Sequence, residues 1–349
     1  MYSEADLQSA VAAGALSHES AEALRLHVTG SRDAPSVDEE HFRLITGFND
    51  IFVTIAAVLL MAAVAGIGQS IVPGLAGALV AVSAWGMAEY FTRQRRMALP
   101  SIVLLIGFAG GLAAAPIEIM AENFDTISDT AASLVVAAVG LFVAAGTWLH
   151  WRRFMVPITI AAGAAAVSAT LIALIAAALI PQGSNDAERY LFPIIFIAGL
   201  AVFAFAMRWD MSDRSRETRR SDVAFWLHLV AAPMICHPLF NWVGINDGEN
   251  IAPASAIAVI AIYIIMGLVA LAIDRRALLV SALVYVLVAL TFLFRQFGMV
   301  ELNVAVTGLV IGSALLTLSA FWSPIRRSVV SQLPGDLQGR LPVTGMLAA

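Results

Sequence analysis

The chain has 349 residues, 60% of them hydrophobic and only 13% charged, with a formal net charge of -5. A soluble globular chain runs nearer to about 45–50% apolar and about 25% charged, and the excess cannot be hidden in one core, because a folded body in water still needs a polar surface. The balance argues against nucleic acid as a partner and names the lipid bilayer as the solvent.

In chain order, residues 1–48 form a separate region. Glu4 to Gly14 reads as a short helix stopped by glycine, and Ser17 to His27 as a second helix with Ser17 as its N-cap. Leu7, Val11, Leu16, Leu24 and Val28 are placed to pack the two together. A hairpin this small is expected to dock on the membrane domain or on a cytoplasmic protein partner. Gly30 to Glu40 is a polar linker, and no secretory signal is expected, since the first apolar run begins near Ile51.

Residues 49–324 are expected to hold ten transmembrane helices. A bilayer core takes roughly 20 apolar residues per helix, and charges are costly there, so charge-free gaps mark the spans. The 38 uncharged residues between Asp50 and Glu89 hold two helices, split at 69–74. Single spans follow in the gaps Arg96–Glu118, Asp129–Arg152, Arg153–Asp186, Arg189–Arg208, Asp222–Asp247, Glu249–Asp274, Arg276–Arg295 and Glu301–Arg326. With the N-terminus inside, 18 of the 20 basic residues, all arginine, fall on the cytoplasmic side, the exceptions being Arg189 and Arg295. Opposite loops are acidic or neutral, so both termini are expected in the cytoplasm. Trp148, Trp151, Trp209 and Trp322 beside inner arginines, and Trp242 at the outer end of span seven, fit an aromatic belt. Residues 325–349, rich in Pro and Gly, read as a disordered cytoplasmic tail.

Three inner turns share one grammar: Arg95-Arg96, Arg152-Arg153 and Arg275-Arg276 each precede an apolar helix at once. Positive-inside pressure on short turns explains the pairs without duplication. A proline five residues after the first arginine, in two of the three, favours a true repeat.

Span seven carries the candidate chemistry. Between Asp222 and Trp242 it holds His228, Pro233, Cys236, His237, Pro238 and Asn241. Each proline removes a backbone donor, so a kink or break is expected near 229–238, and broken helices at membrane depth line cavities. His237 and Asn241, four apart, share a face. His228 and His237, nine apart, point in opposite directions at about 100° per residue, so they are no metal pair. The functional reading is a substrate or proton site on His228 or His237, since histidine titrates near neutral pH. The alternative is that both make structural contacts to neighbouring helices.

Glu118, closing span three, and Glu89, closing span two, either sit in a pathway or reach headgroup water. Asp50, Asp274 and Arg275 are boundary residues by the same argument, and Arg295 is placed to pair with Glu301. Gly107…Gly111 and Gly308…Gly312 permit close helix packing.

What is missing narrows the function. No lysine exists in the chain, which removes retinal and pyridoxal Schiff bases and the P-loop. One cysteine, Cys236, excludes a disulfide scaffold. Gly-x-Ser-x-Gly, His-Glu-x-x-His and Cys-x-x-Cys are absent, as are repeated intramembrane carboxylates. Haem would want paired histidines on facing spans, and only His150, His228 and His237 are available. No cofactor, metal or catalytic residue is expected.

The segment Asp6 to Leu24 resembles the start of a group of uncharacterised bacterial polytopic membrane proteins, which open with a helix, a Gly-x-Ile/Leu-Ser turn and a second helix before many spans. The resemblance implies a multi-pass protein of the bacterial inner membrane and carries over no site residues. The expected class is therefore all-α, a helix bundle that moves a small-molecule substrate past a broken span seven. Ten spans with both ends inside also suit five-plus-five inverted repeats, by analogy. The alternative is a non-transporting scaffold or sensor that recruits a partner through its N-terminal hairpin, and a third is a membrane-embedded enzyme using a span-seven histidine.

Overall fold

The computed structural model describes residues 4–31, 48–121, 127–184, 186–214, 216, 218–244, 253–296 and 303–343, and every regular element among them is helical. Residues 32–40 of the polar linker and the side chains of the Arg295–Glu301 pair lie outside what is described. The chain divides into two compact units, Met1–His41 and Phe42–Ala349.

In the first unit, α1 (Glu4–Ala12) and α2 (His18–Ser31) form the expected hairpin. Gly14 takes φ 69°, the left-handed conformation glycine adopts without cost, and the Ser17 hydroxyl caps α2 by accepting from Ser20 N at 3.1 Å. Leu7 and Ala21 are buried between them.

Among the described residues the second unit holds a bundle of ten helices of 14 residues or more: α3 (Phe48–Gln69), α4 (Leu75–Ala88), α5 (Ala98–Met120), α6 (Asp129–Phe154), α7 (Ile158–Leu179), α8 (Ala187–Met211), α9 (Arg219–Trp242), α10 (Pro253–Ile273), α11 (Ala277–Gln296) and α12 (Asn303–Ala320). Among the described residues nine helices are long and apolar enough to cross a membrane, and ten if α12 is joined to the short helix after it. Large apolar side chains such as Leu59, Ile106, Leu141, Ile197 and Leu309 face outward, consistent with contact with a lipid bilayer.

Successive helices pair as hairpins, and the arginine-rich turns share a device. Arg96, Met155, Arg216 and Asp274 are the four described non-glycine residues with positive φ (52°, 55°, 58° and 58°), one in each turn of α4/α5, α6/α7, α8/α9 and α10/α11. At α10, Arg275 N reaches back to Ala270 O at 2.9 Å and Asp274 N to Leu271 O at 3.3 Å, the double closure that ends a helix on a left-handed residue. The common grammar of these turns is thus a left-handed stop. The arginine pair is not in fixed register with it: Arg96 belongs to its pair, Met155 follows one, and Asp274 precedes one.

Helix contacts are made close by small residues. A Cβ on Gly111 would stand 2.5 Å from Gly77 O and 2.7 Å from Ala81 N, so α4 and α5 cross backbone to backbone. Gly308 and Gly312, by contrast, meet nothing described within 4 Å. The same spacing packs in one span and not in the other.

The expected disordered tail is instead ordered as far as Val343. Helix α13 (Trp322–Ser331) leaves α12 at a 75° bend, and α14 (Gly335–Gln338) follows. Trp322, Arg326, Val330 and Leu341 are buried. Pro- and Gly-rich composition signals disorder only where nothing anchors the chain, and here two guanidiniums do.

Candidate functional site: a buried ionic network joining three turns

Asp210 ends α8 and is fully buried, 1% exposed. Its Oδ2 pairs with His228 Nε2 at 2.9 Å, and its Oδ1 accepts from Arg275 Nη2 at 2.5 Å. Arg275 Nη2 also donates to Ser221 O at 3.0 Å. Ser221 lies in the first turn of α9 and His228 two turns further along it, so one helix supplies both. A carboxylate only accepts, so the Asp210 contact fixes the His228 proton on Nε2. Nδ1 of that ring is buried without a hydrogen-bond partner, and the ring stands edge-on to Phe203 at 5.1 Å.

A second carboxylate completes the network. Asp274 Oδ2 accepts from Arg216 Nη1 at 2.7 Å, and Oδ1 accepts from Trp322 Nε1 at 2.6 Å, with Arg326 Nε at 3.6 Å. Arg216 Nη2 spans the carbonyls of Ile273 (3.2 Å) and Asp274 (3.0 Å). Burial, reinforced by the Arg275 guanidinium, pulls Arg216 below its usual value; arginine stays charged regardless. Asp213 holds the turn beneath, accepting from Thr218 N at 3.0 Å and Thr218 Oγ1 at 2.6 Å. The tail is gripped from the same side: Arg326 Nη2 donates to Pro342 O at 2.8 Å and Arg214 Nε to Leu341 O at 2.8 Å.

Of Asp210, Asp274, Arg275 and Arg326, sequence position placed Asp274 and Arg275 at a span boundary and Arg326 in the tail, and it singled out no role for Asp210. They are 1%, 4%, 2% and 2% exposed, so none reaches headgroup water. Trp322, expected in the aromatic belt, is buried with its indole N–H bonded to Asp274, whereas Trp148 and Trp242 do face outward. Asp50 is buried as well.

The other candidates do not join this network. α9 runs as a continuous helix with Pro233 and Pro238 inside it, so of the expected kink or break, an outright break is absent. Each proline deletes a single donor, and a helix absorbs that by bending rather than opening. His237 is exposed on the face opposite His228, its Nδ1 2.5 Å from Tyr285 Oη and its ring 5.5 Å from Phe192. Asn241 is half-buried a turn further on. Glu118 lies in the last turn of α5, where its Oε2 accepts from Gly74 N at 3.1 Å and ties α5 to the α3/α4 turn. Glu89 pairs with Arg153, 2.7 Å to Nε and 2.9 Å to Nη2. His150 is buried against Trp85, Phe108 and Phe154, with Nδ1 3.2 Å from Thr159 Oγ1. Among the described residues no three His, Cys, Asp or Glu side chains gather to hold a metal ion.

The arrangement has two chemical capacities. It clamps the α8/α9, α10/α11 and α12/α13 turns together through buried charges. It also sets the buried His228 ring with one nitrogen on a carboxylate and its other nitrogen, Nδ1, without a hydrogen-bond partner. No protein-family model, curated protein or solved structure matches the chain.

Proposed function

We propose that this multi-pass membrane protein moves a small solute across the bacterial inner membrane, and that the network from Asp210 to Asp274 is the inner gate of its path, closed in the conformation described. The observation that carries the reading is the fully buried Asp210–His228–Arg275 triad within a lipid-facing bundle. Desolvating such ions costs several kcal/mol apiece, and ionisable groups inside membrane bundles mark substrate and ion pathways by default. The arginine-rich end is taken as cytoplasmic on the placement of 18 of the 20 arginines.

Proteoliposome swelling followed by light scattering, over a panel of sugars, amino acids, organic acids and small amines, tests it. The wild type is expected to admit at least one class faster than protein-free vesicles. His228→Gln, which keeps a donor for Asp210 but cannot titrate, abolishes that uptake. Asp274→Asn, which loosens the gate, raises passive leak. Uptake of no class by the wild type, or unchanged uptake in H228Q, removes the transport reading.

One observation favours the scaffold as a second reading: residues Met1–His41 form a compact unit of their own. Under it, deleting residues 1–41 removes a cross-linked partner recovered from cells, whereas under transport the deletion leaves swelling intact.

A further inference from the structure

The bundle carries a second feature that transport does not use. Between α11 and α12, at the arginine-rich end, runs a crevice of about 140 Å³. Its walls are Leu279, Val280 and Leu283 on one helix and Leu315, Leu318 and Ser319 on the other, with Arg276 and Trp322 at its end. The spacing of 279, 280 and 283 aligns these side chains on one face of α11, rising from Arg276 toward the middle of the bilayer. The crevice thus has a charged end at headgroup depth and an apolar length inside the hydrocarbon.

The charged end is held in place. Arg276 lies over the Trp322 ring at 4.8 Å, and Trp322 is anchored by the 2.6 Å bond from its indole to the buried Asp274. At this corner α13 turns away from α12 by 75°, so its first residue closes the end of the crevice. A guanidinium offers five N–H donors in a planar fork that matches a phosphate, so it accepts one in addition to its protein contacts. Val280 at 62% exposed and Ser319, also exposed, leave the slot open sideways to lipid.

We infer that this crevice is a binding site for one anionic phospholipid of the leaflet at the arginine-rich end, with an acyl chain along the α11/α12 slot and the phosphate on Arg276. Shape alone would accept any chain; the fixed cation makes the site select for negative headgroups. The inference does not depend on whether the protein transports anything.

Native mass spectrometry of the full-length protein, titrated in detergent with phosphatidylglycerol and separately with phosphatidylcholine, tests it. The wild type is expected to hold one phosphatidylglycerol about fivefold more tightly than phosphatidylcholine, the effect of one arginine at a membrane surface. Arg276→Gln erases that preference while still binding either lipid. Leu283→Trp fills the slot and weakens both; if it does not purify as a single species, Ser319→Leu on the facing wall takes its place. Glycerol phosphate without chains does not compete. Equal affinity for the two lipids in the wild type, a preference that survives in R276Q, or competition by glycerol phosphate would each overturn the assignment.

Discussion

Arg216 and Asp274 are the left-handed residues of two neighbouring turns, each at φ 58°, and the guanidinium of the first donates to the carboxylate of the second at 2.7 Å. Each turn therefore places its least favourable backbone residue where that residue's side chain locks the other turn. Asp274 also accepts from Trp322, so a third turn hangs on the same carboxylate. Asp274→Ala strips the acceptor from these buried donors. It is expected to cost about 3–5 kcal/mol, read as a lower unfolding midpoint in detergent by scanning fluorimetry. A midpoint unchanged from wild type would mean that the turns are held by their apolar neighbours instead.

Close helix crossing makes a sharper steric prediction. Gly111→Ala drives a methyl against Gly77 O and Ala81 N, backbone atoms that cannot swing aside; overpacking of this kind costs about 1–3 kcal/mol. Gly110→Ala, one residue earlier and facing open space, is the control. It should be neutral or slightly stabilising, because alanine is the better helix former. Thermal denaturation of the two variants side by side decides it, and equal midpoints would contradict the α4/α5 crossing.

Glu118 is assigned a structural task by its bond to Gly74 N. Glu118→Ala leaves that backbone donor without its partner, a loss of about 1–3 kcal/mol if water does not reach the turn. Solute uptake per folded molecule should not change. A variant that folds as well as wild type but has lost uptake would move Glu118 back into the pathway.

The ordered tail can be tested by shortening it. Ending the chain after Gln332 removes the carbonyls of Leu341, Pro342 and Val343 that Arg214 and Arg326 hold. Arg326 is 2% exposed, so the cut uncovers a buried charge. The truncated protein should unfold at a lower temperature and be cleaved by trypsin at its arginine-rich end sooner than wild type. Equal trypsin resistance would show that the tail covers nothing.

The N-terminal hairpin was legible because its signals are local. Gly14 supplies the left-handed stop and Ser17 the cap, and each acts within four residues of itself. The α9 prolines were legible as residues but not in their consequence. Whether a missing donor opens a helix depends on what packs around it, and α9 is among the most buried of the spans.

The sequence by itself determined the class of solvent, the all-helical architecture and the near-tenfold count of spans. The reason is that lipid penalises every charge and every unsatisfied backbone group, so charges must gather at the ends of helices. That same rule is silent on what a charge does once it is at an end. Asp210, Asp274, Arg275 and Arg326 satisfy it equally well by reaching for water or by pairing in the bundle. Only the tertiary structure chose pairing, by bringing three turns within 3 Å of shared carboxylates. The nine-residue spacing already turned His228 and His237 to opposite faces; packing alone decided that one is buried against Asp210 and the other left at the surface.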